Sequence, residues 1–216
     1  MVPRVTRRWG ATAAERAASL PGDELVPNPR LRTDRAIGID APPAVVWPWL
    51  VQIGMGRGGW YSYDNFLQVG SSAPTQSATG IVPELQQLEE GDTIDLIDRI
   101  VFRVATLDPG RALVLYSDQR NQPTQPFTKA WSFVLTPEGP GGTRLLVRES
   151  LDWPTRGVGA MMYFADWLSF FLTRRFLLNL RDLIETAFTA DDVPPAPPAQ
   201  PTEGDPAASG TAADAA

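Results

Sequence analysis

The sequence predicts an α+β fold in which a curved antiparallel sheet wraps around one long C-terminal helix. Three observations lead to this prediction. The segment Ile37–Asp64 joins a strand, a proline-primed helix and a glycine-rich corner. Between residues 93 and 151, short stretches alternate apolar and polar side chains and are separated by turns rich in Pro and Gly, which is typical of antiparallel strands. From Gly159 to Phe188, apolar residues recur instead at helical spacing.

The first elements follow directly from the local sequence. Arg35–Ile39 alternates larger and smaller side chains and predicts a short strand. Two prolines then set φ near the helical value, so a helix is expected over Ala44–Ile53, with a kink at Pro48. Gly54–Gly59 allows a sharp turn, and a second short helix is expected to begin near Ser62.

Five more strands and the long helix complete the predicted domain. Turn sequences such as Asp108-Pro109-Gly110 separate the strands. A curved sheet with a helix across its concave face leaves space between them, and a ligand is expected there. The five predicted strands are Thr93–Ile97, Ile100–Leu107, Ala112–Ser117, Phe127–Leu135 and Thr143–Leu151.

Three regions are expected along the chain. Residues 1–32 form an N-terminal arm with a short helix, because Thr12 and Glu15 have the spacing of a capping box. Residues 33–190 form the ligand-binding domain. Residues 191–216 are rich in Pro, Ala and Asp, which predicts a disordered tail.

Composition narrows the possible functions. The 216 residues carry 19 basic and 25 acidic side chains, a formal charge of −6, and the segment 191–216 accounts for five of the acids. The body is therefore nearly neutral, and no nucleic-acid partner is expected, because such a protein concentrates basic residues on one face.

The chain contains neither Cys nor His. Disulfides, thiolate nucleophiles, metal sites built on Cys or His and imidazole bases are excluded. We therefore expect no metal and no cofactor. Any catalysis would have to use Asp, Glu, Tyr, the single Lys129 or water.

A cytoplasmic protein is expected from the absence of a continuous apolar run near the N-terminus. The apolar stretch Val158–Leu172 is interrupted by Asp166 and Ser169, and it is shorter than the roughly 20 apolar residues that a membrane-spanning helix needs. Stable membrane insertion is not expected, whereas transient contact with a membrane surface stays open. The oligomeric state is not predicted.

Several separated motifs resemble the SRPBCC or START-like superfamily, and more narrowly its polyketide cyclase/dehydrase-like branch of small bacterial proteins. The motifs are WGAT at Trp9–Thr12, LPGDELVPNP at Leu20–Pro29, IDAPPAVVWPWLVQIGMGRGGWYSYD at Ile39–Asp64 preceded by Ile37-Gly38, IVPELQ at Ile81–Gln86 and GTRLLVRES at Gly142–Ser150. The resemblance implies a helix-grip fold, with two short helices after the first strand and a hydrophobic ligand between the sheet and the C-terminal helix.

Large aromatic and charged side chains are the candidate ligand contacts. Lys129, Trp131 and Phe133 share one face of their strand, and Trp131 and Phe133 are as consistent with plain core as with pocket lining. The candidate ligand-binding residues are Trp47, Arg57, Trp60, Tyr61, Tyr63, Trp131, Phe133, Arg148, Phe164, Trp167 and Phe171.

The glycine corner spells GxGxxG, but it follows a helix instead of a strand, so a tight interhelical turn is favoured over a dinucleotide site. Arg57 within it is a candidate contact to an anionic group. Tyr63, Asp64 and Glu84 are candidate catalytic residues, because a phenol beside a carboxylate could polarise a carbonyl. These three residues are candidates only, and no catalytic residue is assigned.

Glu84, Arg148 and Asp166 lie in segments that otherwise look buried. Internal ion pairing is the favoured interpretation, and contact with a ligand is the alternative. Lys129 as a Schiff-base nucleophile is disfavoured.

Three functions stay open. The favoured one is a non-catalytic carrier or sensor of a hydrophobic small molecule, either a lipid or a polyketide-like compound. The second is a cyclase or dehydratase that uses Tyr, Arg and carboxylate groups, with Tyr63, Arg57 and Glu84 meeting on one cavity wall. The third is an interaction module with a filled core and an exposed aromatic patch.

Overall fold

In the part of the chain that the structure describes, six antiparallel strands form one sheet in the order β1-β6-β5-β4-β3-β2. The last five strands follow one another as hairpins, and β1 pairs with β6 at the edge. The computed structural model describes residues 6–63, 76–97, 100–118, 123, 127–154 and 156–188. The strands are β1 (Leu31–Ile39), β2 (Thr93–Ile97), β3 (Ile100–Asp108), β4 (Ala112–Ser117), β5 (Thr128–Glu138) and β6 (Gly142–Asp152).

Within the described residues, three α-helices accompany the sheet: α1 (Ala13–Ala17), α2 (Pro43–Val51) and α3 (Gly159–Ala187). Single turns of 3-10 helix lie at Thr6–Arg8, Asp23–Leu25, Pro83–Leu85 and Arg156–Val158. The antiparallel sheet with a long C-terminal helix confirms the predicted helix-grip fold class. Within the described ranges, no helix is both long and apolar enough to cross a bilayer.

The predicted boundaries differ from the structure mainly at β1, which begins at Leu31 instead of Arg35. Residues 31–34 continue the ladder opposite residues 148–151 of β6. The local pattern hid this extension, because Thr33 and Asp34 are polar yet both are buried. Most of the second short helix expected from near Ser62, the first half of the loop expected at Ser71–Gly80 and the tail from 191 lie outside the described residues.

Strand register places alternate side chains in rows across the sheet on the face toward α3. The row containing Phe133 belongs to a packed core with the C-terminal half of α3, represented by Phe176, Leu177 and Leu180. The next two rows lie nearer the start of β1 and carry polar groups. The three rows are Arg35–Val147–Phe133, Thr33–Glu149–Trp131 and Leu31–Leu151–Lys129.

The N-terminal segment, residues 6–30, lies largely against the face of the sheet that points away from α3. It passes the β1 edge at Gly10, where the Trp9 carbonyl accepts a hydrogen bond from the Ala36 amide at 3.0 Å. Gly10 has a φ of +73°, and a Cβ there would lie 2.0 Å from the Ala36 carbonyl oxygen. Beyond this crossing, Ala11 packs on Ala36 and Leu146. Both faces of β1 and β6 are therefore buried.

Candidate functional site

A cavity of about 220 Å³ lies between the N-terminal half of α3 and the sheet. Its walls are mainly apolar and come from α3, from five strands and from Trp60 and Ser62, which follow the glycine corner Gly54–Gly59. The largest side chains that line it are Trp60, Phe102, Phe127, Trp131, Met162 and Phe176.

The cavity forms where α3 presents small residues to the sheet. Ala165, Ser169 and Thr173 recur every four residues on the lining side of the helix, so they lie above one another on one face. They face the rows that contain Trp131 and Lys129. One turn further along, the larger Phe176 and Leu180 fill the space, and the core is closed there.

Glu149 anchors a polar cluster in the cavity wall. Its carboxylate accepts hydrogen bonds from Arg35, from Lys129 at 2.6 Å and from the Thr173 hydroxyl at 3.2 Å. The Ser169 hydroxyl lies 3.0 and 3.1 Å from its two oxygens. Both carboxylate oxygens are therefore fully used by protein donors.

These partners keep Glu149 ionised. Burial alone would raise its pKa, but the charges of Lys129 and Arg35, with hydrogen bonds from Lys129 and Ser169, outweigh burial and lower the pKa to about 2. A carboxylate with so low a pKa and no free lone pair is poorly suited to general acid or base chemistry near neutral pH.

Asp166 lies beside this cluster on α3 and also lines the cavity. Its carboxylate accepts a hydrogen bond from Arg7 at 2.9 Å and lies 4.0 Å from Nη2 of Arg35. Burial raises the pKa of Asp166, and the neighbouring arginines oppose that shift. The N-terminal segment thereby contributes a charge to the neighbourhood of the cavity.

Two buried polar atoms of lining residues lack a hydrogen-bond partner within the described ranges: Oγ1 of Thr33 and Nε1 of Trp131. The residues are only 2% and 6% exposed, respectively. They belong to the same row of the sheet, on either side of Glu149. Buried polar groups are nearly always hydrogen-bonded in native proteins, so two unpaired atoms in one row of the sheet are an exception that asks for an explanation.

Aromatic rings form the neighbouring wall. The Trp60 and Trp131 rings stack at 5.2 Å with an interplanar angle of 8°. Nε1 of Trp60 donates to the Asp95 carbonyl at 3.3 Å, so the two indoles differ in that only Trp131 has an unpaired N–H. The Lys129 ammonium lies 4.7 Å from the Trp131 ring centroid, close enough for a cation–π contact.

The structure places two of the candidate ligand contacts, Trp60 and Trp131, at this cavity. Phe133 is fully buried one row away and packs on Trp131 and Phe176, so it is core and not lining. Trp47 on α2 packs, partly buried, against the same core.

Tyr61 and Tyr63 are also placed away from this cavity. Tyr61 is buried and hydrogen-bonded to Gln52 at 2.7 Å, and it borders a second, more open depression of about 470 Å³. Tyr63 is 47% exposed, and the Arg175 guanidinium lies over its ring. Asp64 lies outside the described residues. Glu84 is exposed on the 3-10 turn after Val82.

Arg57 does not reach the cavity either. Its guanidinium donates to the carbonyls of Val51, Ile53 and Leu85 at 3.1–3.2 Å. It thereby satisfies carbonyls near the C-terminal end of α2, which otherwise lack helical partners. The glycine corner is a tight turn closed by the pairing of Gly54 with Gly59, in agreement with the interpretation favoured from sequence.

Arg148 lies on the opposite face of the sheet from the cavity. Only 1% of its side chain is exposed, and it donates to Asp34 at 2.6 Å and to Asp23 at 2.8 Å. The carbonyls of Ala18 and Glu15 accept two more hydrogen bonds. Arg148 therefore holds the N-terminal segment on the sheet, which corrects its assignment as a ligand contact.

Three predicted aromatics of α3 lie on its outer side. Phe164, Trp167 and Phe171 are 63%, 42% and 41% exposed, whereas Leu168 and Leu172 line the cavity. Successive helical residues are about 100° apart, so a row read from apolar spacing alone can merge two adjacent faces. The three rings therefore lie on the surface of α3, and their prediction as ligand contacts in the cavity was wrong.

Sequence reasoning missed Glu149, Thr33, Ser169 and Thr173 as components of the wall. One available signal was the alternation of β6, because Arg148 and Glu149 must face opposite sides of the sheet. The other was the i, i+4 spacing of Ser169 and Thr173 on α3. Asp166 and Lys129 were singled out from sequence, but their partners were not.

Comparison with known proteins adds little beyond the fold. No family model matches the chain. Over 105 residues it is 30% identical to hydroxyethylthiazole kinase of Pyrococcus horikoshii, an overlap of 47% of this chain and 37% of the kinase. The chain thus spans little more than a third of the length of this curated relative.

Solved structures show weak similarity. Protein MLL2253 from Mesorhizobium loti has a TM-score of 0.43 at 16% identity, with 74% of this chain and 100% of that chain covered. The Aha1 dimer from Colwellia psychrerythraea has a TM-score of 0.42 at 19% sequence identity, with 72% of this chain and 96% of that chain covered. CalU16 from Micromonospora echinospora has a TM-score of 0.35 at 18% identity, with 72% of this chain and 84% of that chain covered. These scores carry no functional argument.

The fold and the cavity together define a helix-grip protein with a largely apolar internal site that has one polar wall. Within the described ranges, no cluster of three or more Asp or Glu side chains could hold a metal ion.

Proposed function

We propose that this protein binds a compact hydrophobic molecule between the sheet and α3, as a non-catalytic carrier or sensor. The observation that carries the proposal is the cavity itself, which is lined almost entirely by apolar atoms in a protein whose neighbouring core is closed. Concave apolar sites with a few polar groups are the usual form of small-molecule sites.

The volume limits the size of the ligand. About 220 Å³ exceeds the roughly 150 Å³ of an engineered cavity that binds benzene, and it lies below the usual range of about 300–1,000 Å³ for ligand pockets. The site therefore favours a molecule of one or two rings, or a short acyl chain, over a long lipid or an extended polyketide. This narrows the ligand class expected from sequence.

The cyclase or dehydratase alternative receives no comparable support. It required Tyr63, Arg57 and Glu84 on one cavity wall, and none of the three lines the cavity. Glu149, the carboxylate that does line it, is saturated with donors. Binding without turnover is therefore the simpler proposal for this wall.

Native mass spectrometry of the purified protein, together with an organic extract of the same sample, tests the proposal. A stoichiometric small-molecule adduct is expected, or uptake of small aromatic hydrocarbons added to an apo sample. A clean apo mass with no uptake of any added aromatic would overturn the proposal.

A matched pair of helix variants assigns the site. Leu172→Trp fills the cavity from α3 and is expected to abolish uptake of the aromatic molecule. Leu178→Trp is the control: it changes a partly buried leucine that packs on the closed core, and uptake is expected to persist. Retained uptake in folded Leu172→Trp would contradict the assignment to this cavity.

A second function is favoured by the outer face of α3. We propose that this face docks reversibly on an anionic membrane surface. Trp167, Phe164 and Phe171 are exposed there, and Arg174 and Arg175 follow them, also exposed. Asp166 is the one acid in residues 159–175, and it is buried. Aromatic side chains beside arginines are typical of segments that lie in a lipid interface.

Co-sedimentation with vesicles tests this docking. Binding is expected to vesicles that contain phosphatidylglycerol, to weaken with salt and to be lost in Trp167→Ser. Arg181→Gln, on the C-terminal half of α3, is the control that should bind normally. Absence of vesicle binding by the unmodified protein would refute membrane docking. Dimerisation that Trp167→Ser abolishes would also refute it, and would assign the face to contact with a second copy of the chain.

A further inference from the structure

We infer that the ligand carries a carboxylate, held at the Thr33–Glu149–Trp131 row beside Lys129, so that the natural ligand is a small aromatic or alicyclic acid. The inference rests on the proposed small-molecule function and specifies the chemistry that the same cavity recognises.

The unpaired polar atoms of the wall call for an acceptor. Nε1 of Trp131 can only donate a hydrogen bond, and Oγ1 of Thr33 can donate one. A ligand that offered only donors would leave the Trp131 N–H unpaired. A ligand acceptor would satisfy an atom that the protein leaves without a partner in its described part.

Glu149 cannot serve as that acceptor. It lies between Thr33 and Trp131 in the row, but both of its oxygens already accept from Lys129, Ser169 and Thr173, as well as from Arg35. Adjacent strands lie about 4.8 Å apart, so Thr33 and Trp131 are separated by roughly two strand spacings. A ligand carboxylate offers two oxygens, so one oxygen can accept from the Trp131 N–H while the other accepts from Lys129 or Thr33.

The charges of the wall favour an anion over a neutral acceptor. Three cations meet two carboxylates here, since Arg7, Arg35 and Lys129 are paired only with Glu149 and Asp166 within the described ranges. Among the residues that the structure describes, the Lys129 ammonium donates one hydrogen bond, to Glu149, although it has three N–H groups, and Lys129 lines the cavity. A ligand carboxylate would balance this excess positive charge.

The aromatic wall defines the rest of the molecule. The stacked indoles of Trp60 and Trp131, with Phe102 beside them, present ring faces and edges to the cavity. Flat rings pack well on such a surface. A bicyclic aromatic acid combines this apolar body with the required acceptor and suits the size of the cavity.

Four probes separate these contributions: naphthalene and three derivatives of similar size, 2-acetylnaphthalene, 2-naphthoate and 2-naphthylmethylamine, each titrated calorimetrically into the full-length protein at pH 7. Naphthoate is expected to bind about 10- to 100-fold more tightly than naphthalene, as for a hydrogen bond to a charged group, and the ammonium probe more weakly than naphthalene. Acetylnaphthalene, which offers a neutral acceptor, is expected to bind with an affinity between those of naphthalene and naphthoate.

Two indole variants provide the matched comparison. Trp131→Phe removes the unpaired N–H and is expected to lose most of the preference for naphthoate. Trp60→Phe removes an N–H that already donates to Asp95, so it should weaken all the probes alike. Thr33→Val, nearly isosteric, is expected to reduce the naphthoate preference several-fold and provides a second test if Trp131→Phe folds poorly.

The outcomes distinguish the two proposals. If none of the probes binds, the small-molecule function itself fails. If naphthalene binds as tightly as naphthoate, or if acetylnaphthalene equals naphthoate, the cavity stands but carboxylate recognition is overturned. Equal loss of naphthoate preference in Trp131→Phe and Trp60→Phe would also contradict the assignment to the Trp131 N–H.

Discussion

Arg148 and Glu149 are adjacent in β6, yet their side chains are buried on opposite faces of the sheet. Arg148 pairs with Asp34 beneath the N-terminal segment, and Glu149 pairs with Lys129 at the cavity. A single strand therefore separates two buried ionic clusters. One cluster attaches the N-terminal segment to the sheet, and the other forms the polar wall of the candidate site.

Glu149→Gln is expected to destabilise the fold strongly. The variant leaves the ammonium of Lys129 and the guanidinium of Arg35 in a buried region without their main counter-charge, which typically costs about 3–5 kcal/mol. Urea unfolding measures the loss. Glu84→Gln, at an exposed glutamate, is expected to change stability by about 0.5 kcal/mol or less. Comparable small effects from both variants would contradict the buried-cluster argument.

The same residue predicts an acid-dependent loss of stability. The pKa of Glu149 falls from 4.5 to about 2 on folding, so its stabilisation is complete above pH 4.5 and is lost as the pH falls toward 2. The shift corresponds to about 3 kcal/mol. Unfolding midpoints measured between pH 6 and pH 2 should therefore fall less steeply in Glu149→Gln than in the wild type.

Some acid sensitivity will persist in that variant, since the pKa of Glu15 is also lowered to about 2, chiefly by a hydrogen bond from Arg144. A pH profile for Glu149→Gln that is parallel to the wild-type profile would show that Glu149 is not the group responsible.

Arg148→Met tests whether Arg148 is structural. Removing the guanidinium leaves Asp34 buried without its main partner, and a loss of about 3–5 kcal/mol is expected. The double variant Arg148→Met/Asp34→Leu removes both charges and should recover part of that loss. Probe binding by the folded fraction is expected to stay unchanged, because Arg148 faces away from the cavity. Normal stability combined with lost binding would reverse the assignment.

Gly10 is where the chain can cross the β1 edge, and Gly10→Ala is expected to loosen the N-terminal segment. The added Cβ would lie 2.0 Å from the Ala36 carbonyl oxygen at a φ of +73°. Gly56→Ala is the matched control, since it has a similar φ of +71° but open space around its Cβ, and it should cost only about 1–2 kcal/mol of backbone strain.

Hydrogen exchange over residues 6–18 distinguishes these two glycine variants. Faster exchange in Gly10→Ala and unchanged exchange in Gly56→Ala are expected. Equal exchange in both variants would mean that close approach to Ala36 does not hold the segment in place.

The strands and α3 could be predicted from sequence because period-two and helical patterns are local properties. The start of β1 could not, since burying Thr33 and Asp34 depends on cover from a segment distant in the chain. Among the site residues, Trp60 and Trp131 were found from their type. The role of Glu149 could not be predicted in this way, because its hydrogen-bond partners depend on the strand register and on how α3 is rotated against the sheet.

Tyr61 predicts a loss of stability in alkali. Burial raises its pKa to about 12, although the hydrogen bond from Gln52 opposes the shift. In the unfolded chain the phenol ionises near pH 10, whereas in the folded protein it stays protonated to a higher pH. Ionisation therefore stabilises the unfolded state first, and the free energy of unfolding falls as the pH rises above 10. Denaturant midpoints at pH 9 and pH 11 measure this fall.

The Tyr61→Phe variant isolates that contribution. It should cost about 1–2 kcal/mol at pH 7, because the phenol hydroxyl accepts a hydrogen bond from Gln52 and its O–H donates one to the Trp49 carbonyl. It should also lose less stability between pH 9 and pH 11 than the wild type. Tyr63→Phe, at a ring that is 47% exposed, is the control and should keep the wild-type loss. An equal alkaline loss in Tyr61→Phe and the wild type would show that the buried phenol does not control the response.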